Sequence, residues 1–188
     1  MAARVSGRGD TRLGTALMLA IVGLVAGCAP ASSGQEGGQP ATPRVTPQAS
    51  FSTQIASGVA VVRRALADAG IRLDPPIVPY RPAEPPDIST APRAVLQAGI
   101  GDPQGGYVII YEFPDANTAS ARGAEFADYL ESGFGQTNYP LDAQFSLAQL
   151  GGTLIFTWWS SELAADRELA RTAFDAISSV GVPIPIVG

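Results

Sequence analysis

The chain has 188 residues, 16 of them proline and 21 glycine; its twelve basic residues are all arginine, and it has no histidine and a single cysteine. From Phe51 onward 8 arginines face 15 acids, a balance of −7 that denies this part the cationic face a nucleic-acid binder needs. Without histidine there is no His-based triad or dyad, and one cysteine allows neither an internal disulfide nor a cysteine metal cluster, so neither a metal nor another cofactor is expected.

The N-terminus sets Arg4, Arg8 and Arg12 against one acid, Asp10, and follows them with an apolar run over 13–26. This is the layout of a secretory signal, and the run is shorter than the ~20 apolar residues of a bilayer span. It ends in Val25-Ala26-Gly27-Cys28. Small residues directly before a cysteine, straight after the apolar run, resemble the lipobox of bacterial lipoproteins. The resemblance implies a signal peptide over 1–27, cleavage after Gly27, diacylation of the Cys28 thiol and a further acyl chain, of the palmitate type, on the new N-terminus. It places the protein on the extracytoplasmic face of a cell membrane, held by its lipid. Residues 28–50 would be the lipidated cysteine and a tether. Between 29 and 50 there is no aromatic residue and one valine, Val45. Such a segment cannot bury enough apolar surface to offset its chain entropy and is expected to be disordered.

The remainder, 51–188, is long enough for one core. Over 53–69 Ile55, Val59, Val62 and Leu66 recur at helical spacing, with Ser52 or Thr53 as cap and Gly70 as terminator. Residues 74–92 hold seven prolines, which lack the donors an interior strand needs, so they read as an extended connector across the surface. Strands are expected over 93–100 and 107–113, joined by the turn residues 101–106 into an antiparallel hairpin. Asp115 caps a helix over 116–132 whose stripe is Ala119, Gly123, Phe126 and Leu130. Strands over 144–150 and 153–159 form a second hairpin about Gly151-Gly152. Ser160 or Ser161 caps a last helix running to Val180, with Leu169, Ala173 and Ile177 inward, and an extended tail follows Gly181.

The order α-ββ-α-ββ-α predicts an α+β domain: a four-stranded, mainly antiparallel sheet of two hairpins with about three helices packed on one face. The repeated strand–turn–strand–helix pattern of 94–132 and 144–180 suggests a degenerate duplication. The order also leaves room for a ferredoxin-like arrangement or a dimeric α+β barrel.

The segment 107–115 (YVIIYEFPD) before an alanine-rich helix, and 152–158 (GTLIFTW) before the last one, resemble elements of small bacterial envelope lipoproteins. The resemblance spans about 60–187. That family has no established activity, so it implies a location and an architecture but no reaction. The chain departs from it in the proline run and in Trp158-Trp159.

Carboxylates are the acid–base groups on offer. Glu125, Asp128 and Glu131 lie on one helix and Glu162, Asp166 and Glu168 on another. Converging pairs could serve a small hydrolase or lyase, whereas acids on the outer face of an amphipathic helix are ordinarily solvated surface. Glu112 interrupts an apolar strand and, if buried, needs a partner such as Arg93 or Arg122. Ser160-Ser161 lacks a base to activate it. The glycines around 99–106 join two strands, which is hairpin chemistry and not a phosphate cradle. The aromatic residues are the best binding clue: Tyr107, Tyr111, Trp158 and Trp159 are the candidate ligand or partner surface. The sheet face they occupy is covered by the proline run, by a second copy in a homodimer, or by a protein or small-molecule ligand. The expectation is a membrane-tethered, non-enzymatic binding domain.

Overall fold

The computed structural model describes residues 51–186. The expected signal peptide over 1–27, the expected lipidation site Cys28 and the expected tether to residue 50 lie outside the described residues. Among the described residues no helix is long and apolar enough to cross a membrane.

Helix α1, Thr53–Asp68, starts where the Ser52 hydroxyl accepts the Ile55 amide proton at 3.1 Å and stops before Gly70, whose φ of 74° suits a residue without a β-carbon. Its stripe of Ile55, Val59, Val62 and Leu66 is buried. Gly58 lets the helix lie close on the sheet, since a β-carbon there would sit 3.2 Å from Ile110 Cγ2.

The sheet is antiparallel throughout and has six strands: β1 Leu73–Asp74, β2 Arg93–Ala98, β3 Tyr107–Glu112, β4 Gln144–Leu150, β5 Thr153–Trp159 and β6 Val182–Pro183, in the order β1-β2-β3-β5-β4-β6. The four expected strands are present and paired as two hairpins. The expectation of four was short by the two edge strands, which are two residues each and abut or contain prolines. Pro183 is tolerated in β6 because an edge strand needs only one of its sides to pair. Gly181, at φ 81°, brings β6 beside β4, and a β-carbon there would sit 2.6 Å from the Gln149 carbonyl oxygen.

The helices do not share one face. Helix α1 and helix α4, Arg167–Ser178, cover Ala94, Leu96, Val108, Ile110 and Ile155. Helix α2, Ala116–Glu131, lies on the opposite face, where Ala119, Phe126 and Leu130 meet Ile109, Tyr111, Leu154 and Phe156. A four-residue helix α3, Gly133–Gln136, follows it. Burial of every residue from Tyr107 to Tyr111 is the mark of a strand covered on both sides. This corrects the one-face expectation and excludes a ferredoxin-like layering. It also limits the duplication. The two hairpins are related across the antiparallel β3–β5 pair by an axis normal to the sheet, which keeps equivalent side chains on one face, yet α2 and α4 lie on opposite faces.

The last helix begins later than expected. Ser160 organises a single turn, accepting the Leu163 amide proton on its hydroxyl at 3.2 Å, and Asp166 is the actual cap of α4.

Candidate functional site

The second face of the sheet is closed by the proline-rich segment. Its prolines keep it extended, and its few other side chains hold it down. The Tyr80 ring stacks on Tyr107 at 4.0 Å between centroids, and the Trp158 indole N–H donates to the Tyr80 hydroxyl at 2.9 Å. The Tyr139 hydroxyl donates to the Ala83 carbonyl at 2.9 Å, and Ile88 is buried against the sheet. The strongest fastening is Glu84, whose side chain is only 3% exposed. Its carboxylate takes two hydrogen bonds from Arg93 Nη1, at 2.5 and 2.6 Å, and one from the Tyr111 hydroxyl at 2.7 Å. Burial, followed by the hydrogen bond and charge of Glu84, pushes the Tyr111 hydroxyl far above its ordinary range. Glu84 was not legible as a buried residue, because nothing in a proline-rich, polar stretch signals which side chain turns inward.

Tyr107 and Tyr111 are therefore not an exposed surface. Both are buried, with the proline-rich segment above them. The expectation that they form a ligand or partner surface is corrected on this point: segment 75–92 supplies the cover, and neither ring is available to a partner in the folded domain.

Trp158 and Trp159 are placed differently. As neighbours on β5 they point to opposite faces, and at the strand end both line one cavity of about 300 Å³. The cavity lies where the 100–106 turn, the 138–140 loop and the 160–164 turn meet. Ile100, Pro140, Leu163 and Ala164 give it mostly apolar walls, and Asp102 brings the one carboxylate among its lining residues. Trp159 is 9% exposed, packs 6.3 Å from Phe174, and its indole Nε1 is buried with no hydrogen-bond partner among the described residues. Asp102 Oδ1 accepts the Gln104 amide proton at 2.8 Å, which shapes the turn. The neighbouring Tyr107 hydroxyl, held to the Pro103 carbonyl at 3.0 Å, is raised by burial and then by the charge of Asp102.

Ser160, also at the cavity, donates to Asp142 Oδ1 at 2.5 Å, and Ser161 donates to Oδ2 at 2.9 Å. These bonds, that from Ser160 first, hold the half-buried Asp142 carboxyl down at about 2. Ser160 thus has a carboxylate acceptor that its sequence neighbourhood did not reveal, but the pair works as a cap on the 160–163 turn, where Asp142 also accepts the Glu162 amide proton at 3.0 Å.

The acids proposed as pairs do not converge. Glu125 and Asp128 are exposed on α2, with Glu125 bonded to Arg122 at 2.5 Å, while Asp166 and Glu168 are exposed at the start of α4 across the sheet. Glu112 does not meet Arg93 or Arg122. Both arginines are engaged elsewhere, and Glu112 accepts the Ser52 hydroxyl at the head of α1. Among the described residues no cluster of three potential metal ligands occurs. No family profile, curated protein or solved structure matches the chain.

Proposed function

We propose that the protein is a lipid-anchored, extracytoplasmic lipoprotein whose folded domain is a small-molecule binding module, with its site in the cavity flanked by Trp158 and Trp159. The observation that carries the binding half is the mostly apolar cavity of about 300 Å³ that both indoles flank. A concave, mostly apolar site with a few polar groups is the ordinary setting for a small molecule, which buries apolar area against the indoles and aliphatic walls. The anchor half rests on Val25-Ala26-Gly27-Cys28 after a short apolar run.

The anchor is tested by acyl-lipid labelling of cells that express the wild type and Cys28→Ser. Label on the wild type and none on the variant, which accumulates as uncleaved precursor, is expected; an unlabelled wild type overturns it. Binding is tested with benzyl alcohol on the full-length chain in detergent. The chain's only two tryptophans both line the cavity, so their fluorescence reports on it. A saturable change that Trp159→Phe weakens is expected, and a linear, unsaturable response overturns the reading.

A further inference from the structure

We infer that the cavity selects a small organic cation, an amine joined to one apolar group, with Asp102 as the residue that reads its charge. The inference rests on the binding-module reading above and narrows its ligand.

Three observations support it. The formal charge on the cavity wall comes from Asp102, and no arginine is among the residues lining it. Asp102 forms no ion pair among the described residues, although Arg72, Arg81, Arg93, Arg122 and Arg171 are each matched with another acid. Its carboxylate has one backbone bond, from Gln104 to Oδ1, which leaves acceptor capacity on both oxygens. The same cavity is walled by Ile100, two indoles, Leu163 and Ala164, and Asp102 also borders a neighbouring depression that Arg72 lines. A carboxylate next to low-dielectric walls attracts a cation more strongly than the same group in open water, and it repels an anion by the same reasoning. The domain's excess of acids adds a field of the same sign. The volume lies at the small end of ligand cavities, which fits a single ring or a short chain.

The test uses three molecules of nearly one shape: 2-amino-1-phenylethanol, 1-phenyl-1,2-ethanediol and mandelate. They are respectively cationic, neutral and anionic at neutral pH. Each is titrated into the full-length chain in detergent, followed by tryptophan fluorescence at low salt. The amine is expected to bind about tenfold tighter than the diol, and mandelate weakest. Asp102→Asn keeps an acceptor for the Gln104 amide, so the turn is retained, and an unchanged urea midpoint verifies this. In that variant the amine is expected to fall to the affinity of the diol, with the diol unchanged. If diol or mandelate binds as tightly as the amine, or if Asp102→Asn leaves the order intact, the charge inference is overturned while the binding module stands. If none of the three gives a saturable signal, the module falls with it.

Discussion

Glu84→Ala is expected to be among the most damaging single changes in the domain, although its position in a proline-rich connector looks permissive. In the folded domain the carboxylate is the shared acceptor of Arg93 Nη1 and the Tyr111 hydroxyl. Its removal leaves Arg93 with the Ser89 carbonyl, at 2.8 Å, and leaves a fully buried Tyr111 hydroxyl with no acceptor. Breaking a buried pair by deleting one partner costs about 3–5 kcal/mol. Arg93 is 21% exposed, so water recovers part of its loss. The stranded hydroxyl alone accounts for about 1–3 kcal/mol. A net loss of about 3 kcal/mol follows, a large fraction of the roughly 5–15 kcal/mol that holds a domain together. Urea denaturation followed by far-UV circular dichroism would read it as a midpoint lowered by about 1–2 M, for an m-value near 2 kcal/mol/M. Adding Tyr111→Phe to Glu84→Ala removes the orphaned hydroxyl and should restore about 1 kcal/mol or more. A loss below about 1 kcal/mol for Glu84→Ala, with no recovery in the double variant, would show that Glu84 does not fasten the segment.

Phe126→Ala removes a ring buried between Tyr111 and Phe156 and should cost about 3–5 kcal/mol by the same denaturation assay; a cost under about half a kcal/mol would mean that α2 does not pack there. Gly181→Ala combines a φ of 81° with a β-carbon 2.6 Å from the Gln149 carbonyl oxygen. It should cost about 2 kcal/mol or more and speed hydrogen exchange at the Ile184 amide, which now donates to the Leu147 carbonyl at 2.8 Å; unchanged exchange would refute the pinning role. Asp142 has a folded-state value, about 2, below its unfolded value near 3.9, so its contribution is present in full above about pH 4 and is lost as pH falls through 2. Asp142→Asn should therefore flatten the stability profile between pH 4 and 2 in acid titrations followed by circular dichroism, and an unaltered acid limb would count against the Ser160–Asp142 cap.

Much of this domain was legible from local chemistry. Helical stripes such as Ile55, Val59, Val62 and Leu66 carry their own period, Gly151-Gly152 announces a turn, and strands β4 and β5 begin and end where alternation and turn residues put them. Those features depend on neighbours within a few residues, so the sequence alone determined them. The two-residue edge strands, the splitting of the helices between the two faces, and the late start of α4 depend on which surfaces meet, and no short window records that. The same holds for the candidate site. The pair Trp158-Trp159 was visible as two large aromatics on one strand, but Tyr107 and Tyr111 have the same character in sequence and are buried. Only the tertiary structure separates them. Glu84 lies 27 residues before Tyr111 and nine before Arg93, and Asp102 lies more than fifty before the tryptophans, so it is the folded path of the chain that makes one acid a buried fastening and leaves the other on a cavity wall.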